Sequence, residues 1–569
     1  MIGAAAASQN ASASRRSASG RPGTLRRDPV TLVIVAATLL ALGLRLWQLL
    51  RPGYLLGLTE YDDGPYFGSA VRLVQGVLPY RGFILVQPPG ITLLMVPAAL
   101  AGKLAGTAWG LAAGRILTTL ACTAGVPLAG LLVRHRGVVA TTVACGLLAV
   151  YPDSVASAHT VLVEPWLTAF CLAGAVAVFD GDRLVSGRRL AWGGAAFGFA
   201  GAVESWAIVP VLVVLALCFS RPRARLRRAG VFTAGAAVGF ALPVLPFAAA
   251  APVRFYQSLV VAQVGPRAGV TRVPVFARLA EMAGLSYAHR PAHGTVELAA
   301  AALVLLTVGG LAAAALAARR APTALEWFAV AATALVVVMF LWPSQFHYHF
   351  CAFLAPFLGL AIALPVGVLA GQPGRPWPRW AAAGLTAALI AVFAVIGFRA
   401  ESMLRPDVTP ATIAAAGRLI PPGSCVVTDE VSLTLLADRF TSAAPGCSQV
   451  VDGLGTDLAL SGGLKPATGA GRVPAVAAVW RQAFDRAQFI WLSRLSRRRI
   501  AWSPALRAYF ASHFTRVLTD RRGDALYRRG GAPDGPAAPL APGASGSPRA
   551  QRNAQISAAA GSRRSSRPG

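Results

Sequence analysis

Charge is what this chain has little of, and acidic charge least of all. Charged residues make up 13% of its 569 positions, about half the share of a soluble domain, and only 23 residues are Asp or Glu. With 55% hydrophobic residues and a mean hydropathy of +0.57, an ordinary soluble fold is excluded. Seven cysteines in so long a chain do not make a disulfide scaffold. There is no Walker phosphate loop, no dinucleotide fingerprint, no zinc-ligand spacing and no serine nucleophile elbow, so the chemistries those motifs announce are not indicated.

What is present is a series of apolar runs of roughly 20 residues, recurring from Val30 to Phe398, each able to cross a bilayer. Ala, Gly and Val dominate them, which permits close helix contacts. The net charge of +30 raises nucleic acid as a partner. The basic residues, however, stand in short clusters between apolar runs, as in cytoplasmic loops facing an anionic membrane, and no nucleic-acid partner is expected.

The fold class that follows is a polytopic α-helical membrane protein of about eleven transmembrane helices. Residues 1–29 form a basic tail rich in Ala, Ser and Arg, and 30–50 is a retained first span rather than a cleaved signal. Further spans are expected at 111–133, 138–152, 165–180, a hairpin turning near Glu204, then 229–251, 297–318, 323–341, 350–371 and 380–398. Arg clusters at 134–136, 183–189, 221–228, 319–320 and 375–379 put the N-terminus in the cytoplasm of a multi-pass cell-membrane protein. The loops 51–110 and 252–295 and residues 400–530 then lie outside. The stretch Pro88–Ala105 does not fit as a crossing. It reads as a helix in the external interface, opened by Pro88-Pro89-Gly90 and with Lys103 able to snorkel.

Residues 400–530 alternate strand-like pieces (Ser424–Thr428, Phe489–Leu492, Phe514–Leu518, Ala525–Tyr527) with helix-like ones, which predicts a small extracytoplasmic α/β domain. In an external compartment Cys425 and Cys447 can pair as a disulfide. Residues 531–569, rich in Gly, Pro, Ser and Arg, read as a disordered tail.

Because acids are few, each is informative. Asp62 and Asp63 stand in Tyr61-Asp62-Asp63-Gly64-Pro65-Tyr66 after the first span. Glu164 closes His159-Thr160-Val161-Leu162-Val163-Glu164, and Glu204 marks an outer turn. A partly desolvated carboxylate at a membrane face can accept a proton from a hydroxyl. The plainer readings are a helix cap for Asp63 and a first-turn dipole contact for Glu164. Arg72, Arg81, Arg115, Arg267 and Arg272 share the face and suit a phosphate, or equally lipid headgroups. Tyr61, Tyr66, Gln87, His159, Glu204, His347 and His349 complete the candidate substrate contacts. His347 and His349 form a His-x-His pair without a third ligand nearby in sequence, which favours an aromatic-belt or hydrogen-bonding role over metal binding. No cofactor is required, although the acidic cluster admits a divalent metal ion. Asp429, Glu430 and Asp452 read as strand-end turn residues.

In this order and on this face the motifs resemble the GT-C glycosyltransferases that use polyprenyl-phosphate sugars, in the branch of protein O-mannosyltransferases, aminoarabinose transferases and actinobacterial cell-envelope enzymes. The residues that carry the resemblance are Tyr61–Tyr66, Gly76–Arg81, Gln87-Pro88-Pro89-Gly90 and Val161–Pro165, and it covers about 30–400. It implies a polyprenyl-phosphate donor of mannose or arabinose type and a glycan, lipid or protein acceptor in the cell envelope. It also implies inverting transfer, Asp62 as the base and Glu164 as the second acid. The chain departs from the pattern twice. Gln87 stands where many relatives have a Lys on the donor phosphate, which leaves Arg81 and Arg115 as candidates, and Glu204 stands where a basic residue is expected. The competing class is a transporter or flippase of a lipid-linked sugar. It predicts ionisable groups near the bilayer midplane and paired interrupted helices, whereas these acids lie at outer helix ends.

Overall fold

The structure is a computed structural model. It describes residues 28–530 except 221–223, 265–271, 286–291, 343–345, 372–375, 404–405, 448 and 495–498. Arg267 therefore lies outside the described residues, as do the two terminal tails.

Helices dominate. The first, Pro29–Leu49, starts where the Asp28 carboxylate accepts the Val30 N–H and Pro29 supplies a preset φ. Among the described residues six helical stretches are long and apolar enough to cross a membrane, or seven if the bent pair Pro152–His159 and Glu164–Val178 counts as one. The expected crossings fall on more helices than these six or seven. The stretch Thr107–Val150 is a hairpin holding two expected crossings: Gly130 abuts Cys145 and Gly125 faces Leu148, so its halves run antiparallel about the turn at Gly137. Ser205–Phe219 and the Arg-headed helix Arg188–Val203 are shorter pieces, and the last expected span lies in the 28-residue helix Pro376–Met403. Gly90–Ala105 is a helix of 16 residues, in keeping with an interfacial element.

Small residues set the packing. Gly194 and Gly198 lie against Gly235 and Gly239 so closely that a Cβ at any of the four would fall within 2.4 Å of a backbone carbonyl oxygen of the facing helix. At one end, Arg136 bridges Asp182 (2.6 Å) and Glu326 (2.9 Å), and Arg320 joins the same Glu326 (2.7 Å). Three of the Arg-bearing loops thus lie together. The acidic motif lies at the opposite end. Along Thr107–Val133, Arg115 touches Asp63 and Arg134 closes the helix, a separation of roughly 28 Å at 1.5 Å per residue.

The C-terminal part carries a four-stranded sheet. Its strands are β1 (Val426–Thr428), β2 (Phe489–Leu492), β3 (Phe514–Thr519) and β4 (Ala525–Arg529), in the order β1-β2-β4-β3, with β1 and β2 parallel and the other pairs antiparallel. All four lie where the alternation predicts them. A disulfide joins Cys425 to Cys447 just before β1. This part shares its hydrophobic core with the first loop: Phe67, Met95, Leu111, Val431, Leu435 and Phe440 are buried in one cluster.

Candidate active site

The two neighbouring aspartates have different surroundings. Asp63 opens the helix Asp63–Val74 and has no exposed surface. One carboxylate oxygen takes Arg115 Nε (3.1 Å), Arg115 Nη2 (2.5 Å) and the Thr160 hydroxyl (2.8 Å), and the other takes the Ser432 hydroxyl (2.5 Å). Arg115 is equally enclosed, and its remaining Nη1 donates to the carbonyls of Tyr54, Leu55 and Gly57. This placement corrects two expectations. Asp63 has no exposed surface through which to meet a substrate and does not cap the helix, whose start has no side-chain cap. Arg115 has no N–H directed to a phosphate, because the desolvation of its charge is offset by Asp63 and a ring of carbonyls.

Asp62, one residue earlier, keeps 31% of its side chain exposed. Burial pushes its carboxyl up from the usual range; His349 opposes that, Glu164 reinforces it, Arg499 opposes it, and Asp63 adds a last upward push. His349 Nδ1 is 2.8 Å from Glu164 Oε1, and its Nε2 is 3.9 Å from Asp62 Oδ2. The 117° bend before Glu164–Val178 brings Glu164 to this position. Arg45 of the first span secures the preceding break, between Gly137–Val150 and Pro152–Ala156, donating to the carbonyls of Leu148 and Ala149 at a helix end and to the Ser154 hydroxyl.

Tyr61 faces the C-terminal part. Its hydroxyl donates to Asp452 (3.3 Å) and accepts from the Leu454 N–H (3.2 Å), and the Arg499 guanidinium lies 4.3 Å above its ring. Asp452 also accepts from Val86 N–H (3.3 Å) and caps Gly453–Leu460 through Gly455 N–H, and burial raises it to about 6. It is a cap, as expected of a turn residue, but also the tie between the first loop and the C-terminal part. Arg499 pairs with Glu430. Sequence reading missed Arg499, Ser432 and Thr160; only the capping pattern Asp452-Gly453-Leu454-Gly455 gave any signal for this contact.

Tyr66 accepts from Gln87 Nε2 (3.2 Å), and Tyr80 donates to the Gln87 carbonyl (2.6 Å). Glu204, 7% exposed, accepts from the N–H and hydroxyl of Ser205, both at 2.8 Å; burial raises it to about 7. Other predicted residues lie elsewhere. His159 packs the bent pair on the first span through Gln48 (3.0 Å) and the Tyr54 ring. His347 stacks on His349 at 5.4 Å, and burial lowers it to about 3, so it is neutral. Arg72 bonds Gln75, Arg81 is exposed with Arg254 on its carbonyl, and Arg272 reaches the carbonyls of Leu341 and Trp342. Among the described residues no three His, Cys, Asp or Glu side chains converge to hold a metal ion.

No protein-family profile and no curated protein matches the sequence. Solved structures do. ArnT from Cupriavidus metallidurans in its apo state is 13% identical with a TM-score of 0.54, covering 87% of this chain and 98% of its own. The same protein bound to undecaprenyl phosphate is 15% identical with a TM-score of 0.54, over 88% and 97%. The Archaeoglobus fulgidus oligosaccharyltransferase, tethered with an acceptor peptide, is 12% identical with a TM-score of 0.51, over 89% and 74%. The chain therefore shares its overall fold with these two membrane proteins, and it carries apolar helices long enough to cross a membrane and a small C-terminal sheet region.

Proposed function

We propose that this protein is a membrane glycosyltransferase that moves a sugar of mannose or arabinose type from a polyprenyl-phosphate donor to a hydroxyl of a cell-envelope acceptor. The reading is supported by the fold, by the undecaprenyl phosphate bound to the ArnT neighbour and by the acceptor peptide on the oligosaccharyltransferase. The observation that carries it is Asp62, a carboxylate of raised proton affinity that stays open to solvent while its neighbour Asp63 is consumed by the fold. In the proposed step the acceptor oxygen attacks the anomeric carbon as Asp62 takes its proton. The bond from that carbon to the phosphate oxygen breaks, and the electron pair leaves on the polyprenyl phosphate, with inversion. His349, held by Glu164, borders Asp62 and steadies its charge.

Arg72 and Arg81 are the cations left to meet the departing phosphate. The lipid tail would run along the membrane part, where an apolar cavity of about 190 Å³ opens between Leu44 and Trp47 of the first span and Phe398. The reaction is assigned to the outer face, with the N-terminus cytoplasmic, residues 30–399 as the catalytic membrane unit and 400–530 as its external partner.

The test uses purified protein in lipid with radiolabelled polyprenyl-phosphate mannose and arabinose and a crude envelope acceptor. Wild type should transfer label, and Asp62→Asn should lose about 100-fold or more. Full activity in a folded Asp62→Asn protein would remove Asp62 as the base.

A further inference from the structure

The space around Tyr66 is short of hydrogen-bond donors. Gln87 turns its Nε2 to the Tyr66 hydroxyl, and its buried Oε1 has no hydrogen-bond partner. Glu164, 1% exposed, gives Oε1 to His349, and its Oε2 is likewise buried without one. Glu204 belongs to the same cluster: the charges of Asp62, Glu164 and Glu204 raise the Tyr66 phenol beyond what burial does, and the Glu164 charge raises Glu204 while the Gln87 amide, as a hydrogen-bond donor, lowers it. The backbone explains the grouping. A Cβ on Gly90 would fall 2.4 Å from the Ala202 carbonyl oxygen, so the Gln87–Gly90 turn is seated on the helix end that carries Glu204.

Such a pocket repels an anion. It presents carboxylates and a carbonyl oxygen, and its one cationic candidate, His349, is already turned to Glu164. Buried acceptors left without donors are costly, and hydroxyl groups supply the missing donors. We infer that the pocket formed by Tyr66, Gln87, Glu164 and Glu204 binds the hydroxyls of a sugar ring, and that the phosphate of a lipid-linked donor lies elsewhere. This rests on the transferase reading above. The sugar can belong to the donor or to a glycan acceptor; the chemistry of recognition is the same.

Three ligands separate the cases: a polyprenyl-phosphate sugar, sugar-free undecaprenyl phosphate as competitor, and the envelope acceptor. In Gln87→Leu and in the near-isosteric Glu204→Gln, we expect the KM for one sugar-bearing substrate to rise about tenfold, roughly the effect of one lost hydrogen bond. Inhibition by undecaprenyl phosphate should stay within about twofold of wild type, on the same scale. A rise confined to the donor places the donor sugar in the pocket, and a rise confined to the acceptor places the acceptor sugar there. Gln87→Lys should weaken the sugar-bearing substrate as well, whereas a phosphate site would bind undecaprenyl phosphate more tightly with that change. Parallel loss of undecaprenyl phosphate and the sugar-bearing donor, or no change in either KM, overturns the inference. Direct binding of the two lipids to wild type and Gln87→Leu needs no turnover. If wild type transfers nothing yet prefers the sugar-bearing lipid, and Gln87→Leu abolishes the preference, the transferase reading fails and the pocket stands.

Discussion

Replacing each of the two adjacent aspartates by asparagine should break different things. Asp63 is one half of an ion pair with no exposed surface on either side chain, and it also accepts from Thr160 and Ser432. Asparagine there leaves the Arg115 charge buried and points an N–H₂ at donors. Removing one partner of a buried pair typically costs about 3–5 kcal/mol. Asp62 is partly exposed and its contact with His349 is 3.9 Å, beyond hydrogen-bond length, so Asp62→Asn should change stability by no more than about 0.5 kcal/mol. The assay is heating of the purified proteins in lipid, followed by the fraction that remains monodisperse, with sugar transfer measured alongside. A large membrane protein does not unfold in two states, so the ordering of midpoints is what counts. Asp63→Asn should melt well below wild type and Asp62→Asn should melt with it, while transfer is lost in Asp62→Asn at full stability. Arg115→Met combined with Asp63→Leu should recover part of the lost stability, since no charge is then stranded. An Asp63→Asn protein as stable as wild type would refute the assignment of that pair to the fold.

His349 should tune the base. Asp62 must be ionised to accept a proton, so transfer is lost as pH falls through its pKa. His349 holds that pKa down against burial, Glu164 and Asp63, with Arg499 the other cation facing it. His349→Gln should therefore move the acid limb of the kcat profile to higher pH; a profile that stays in place while kcat falls would mean that His349 only packs. The disulfide closes the chain between Cys425 and Cys447, 22 residues apart, and a loop of that size is worth about 3 kcal/mol. Reductant, or Cys425→Ser with Cys447→Ser, should lower the melting midpoint, and an unchanged midpoint would show that the link adds nothing to this core.

The membrane character, the helix after Pro88-Pro89-Gly90, the strands and several of the residues that converge were legible because they depend on local pattern: apolar length, a Pro-Pro-Gly break, alternation, and acids where acids are rare. What was not legible depends on which atoms a buried charge meets. Nothing in Tyr61–Tyr66 says which aspartate faces inward; Arg115, Thr160 and Ser432, distant in sequence, decide it. Apolar length alone likewise does not reveal that Pro152–His159 and Glu164–Val178 form a pair bent by 117°.

Two of the buried arginines also change how cations on a membrane protein are to be counted. Arg115 looks in sequence like a headgroup or phosphate ligand, and Arg45 stands within an apolar span. Both are fully buried, and each directs N–H groups at two or more backbone carbonyls where a helix ends or the chain turns. A guanidinium can serve several carbonyls at once because its donors are fixed in a fork, which suits a fold whose helices break beside the site. Arg115 is thus removed from the candidates for a phosphate. On the proposed reading, recognition beside Asp62 would select for hydroxyls, and Arg72 and Arg81 would be left to meet the phosphate. A lysine in place of Gln87 would meet the Glu204 carboxyl, on which Gln87 already acts, and would fill the space that the proposed sugar needs.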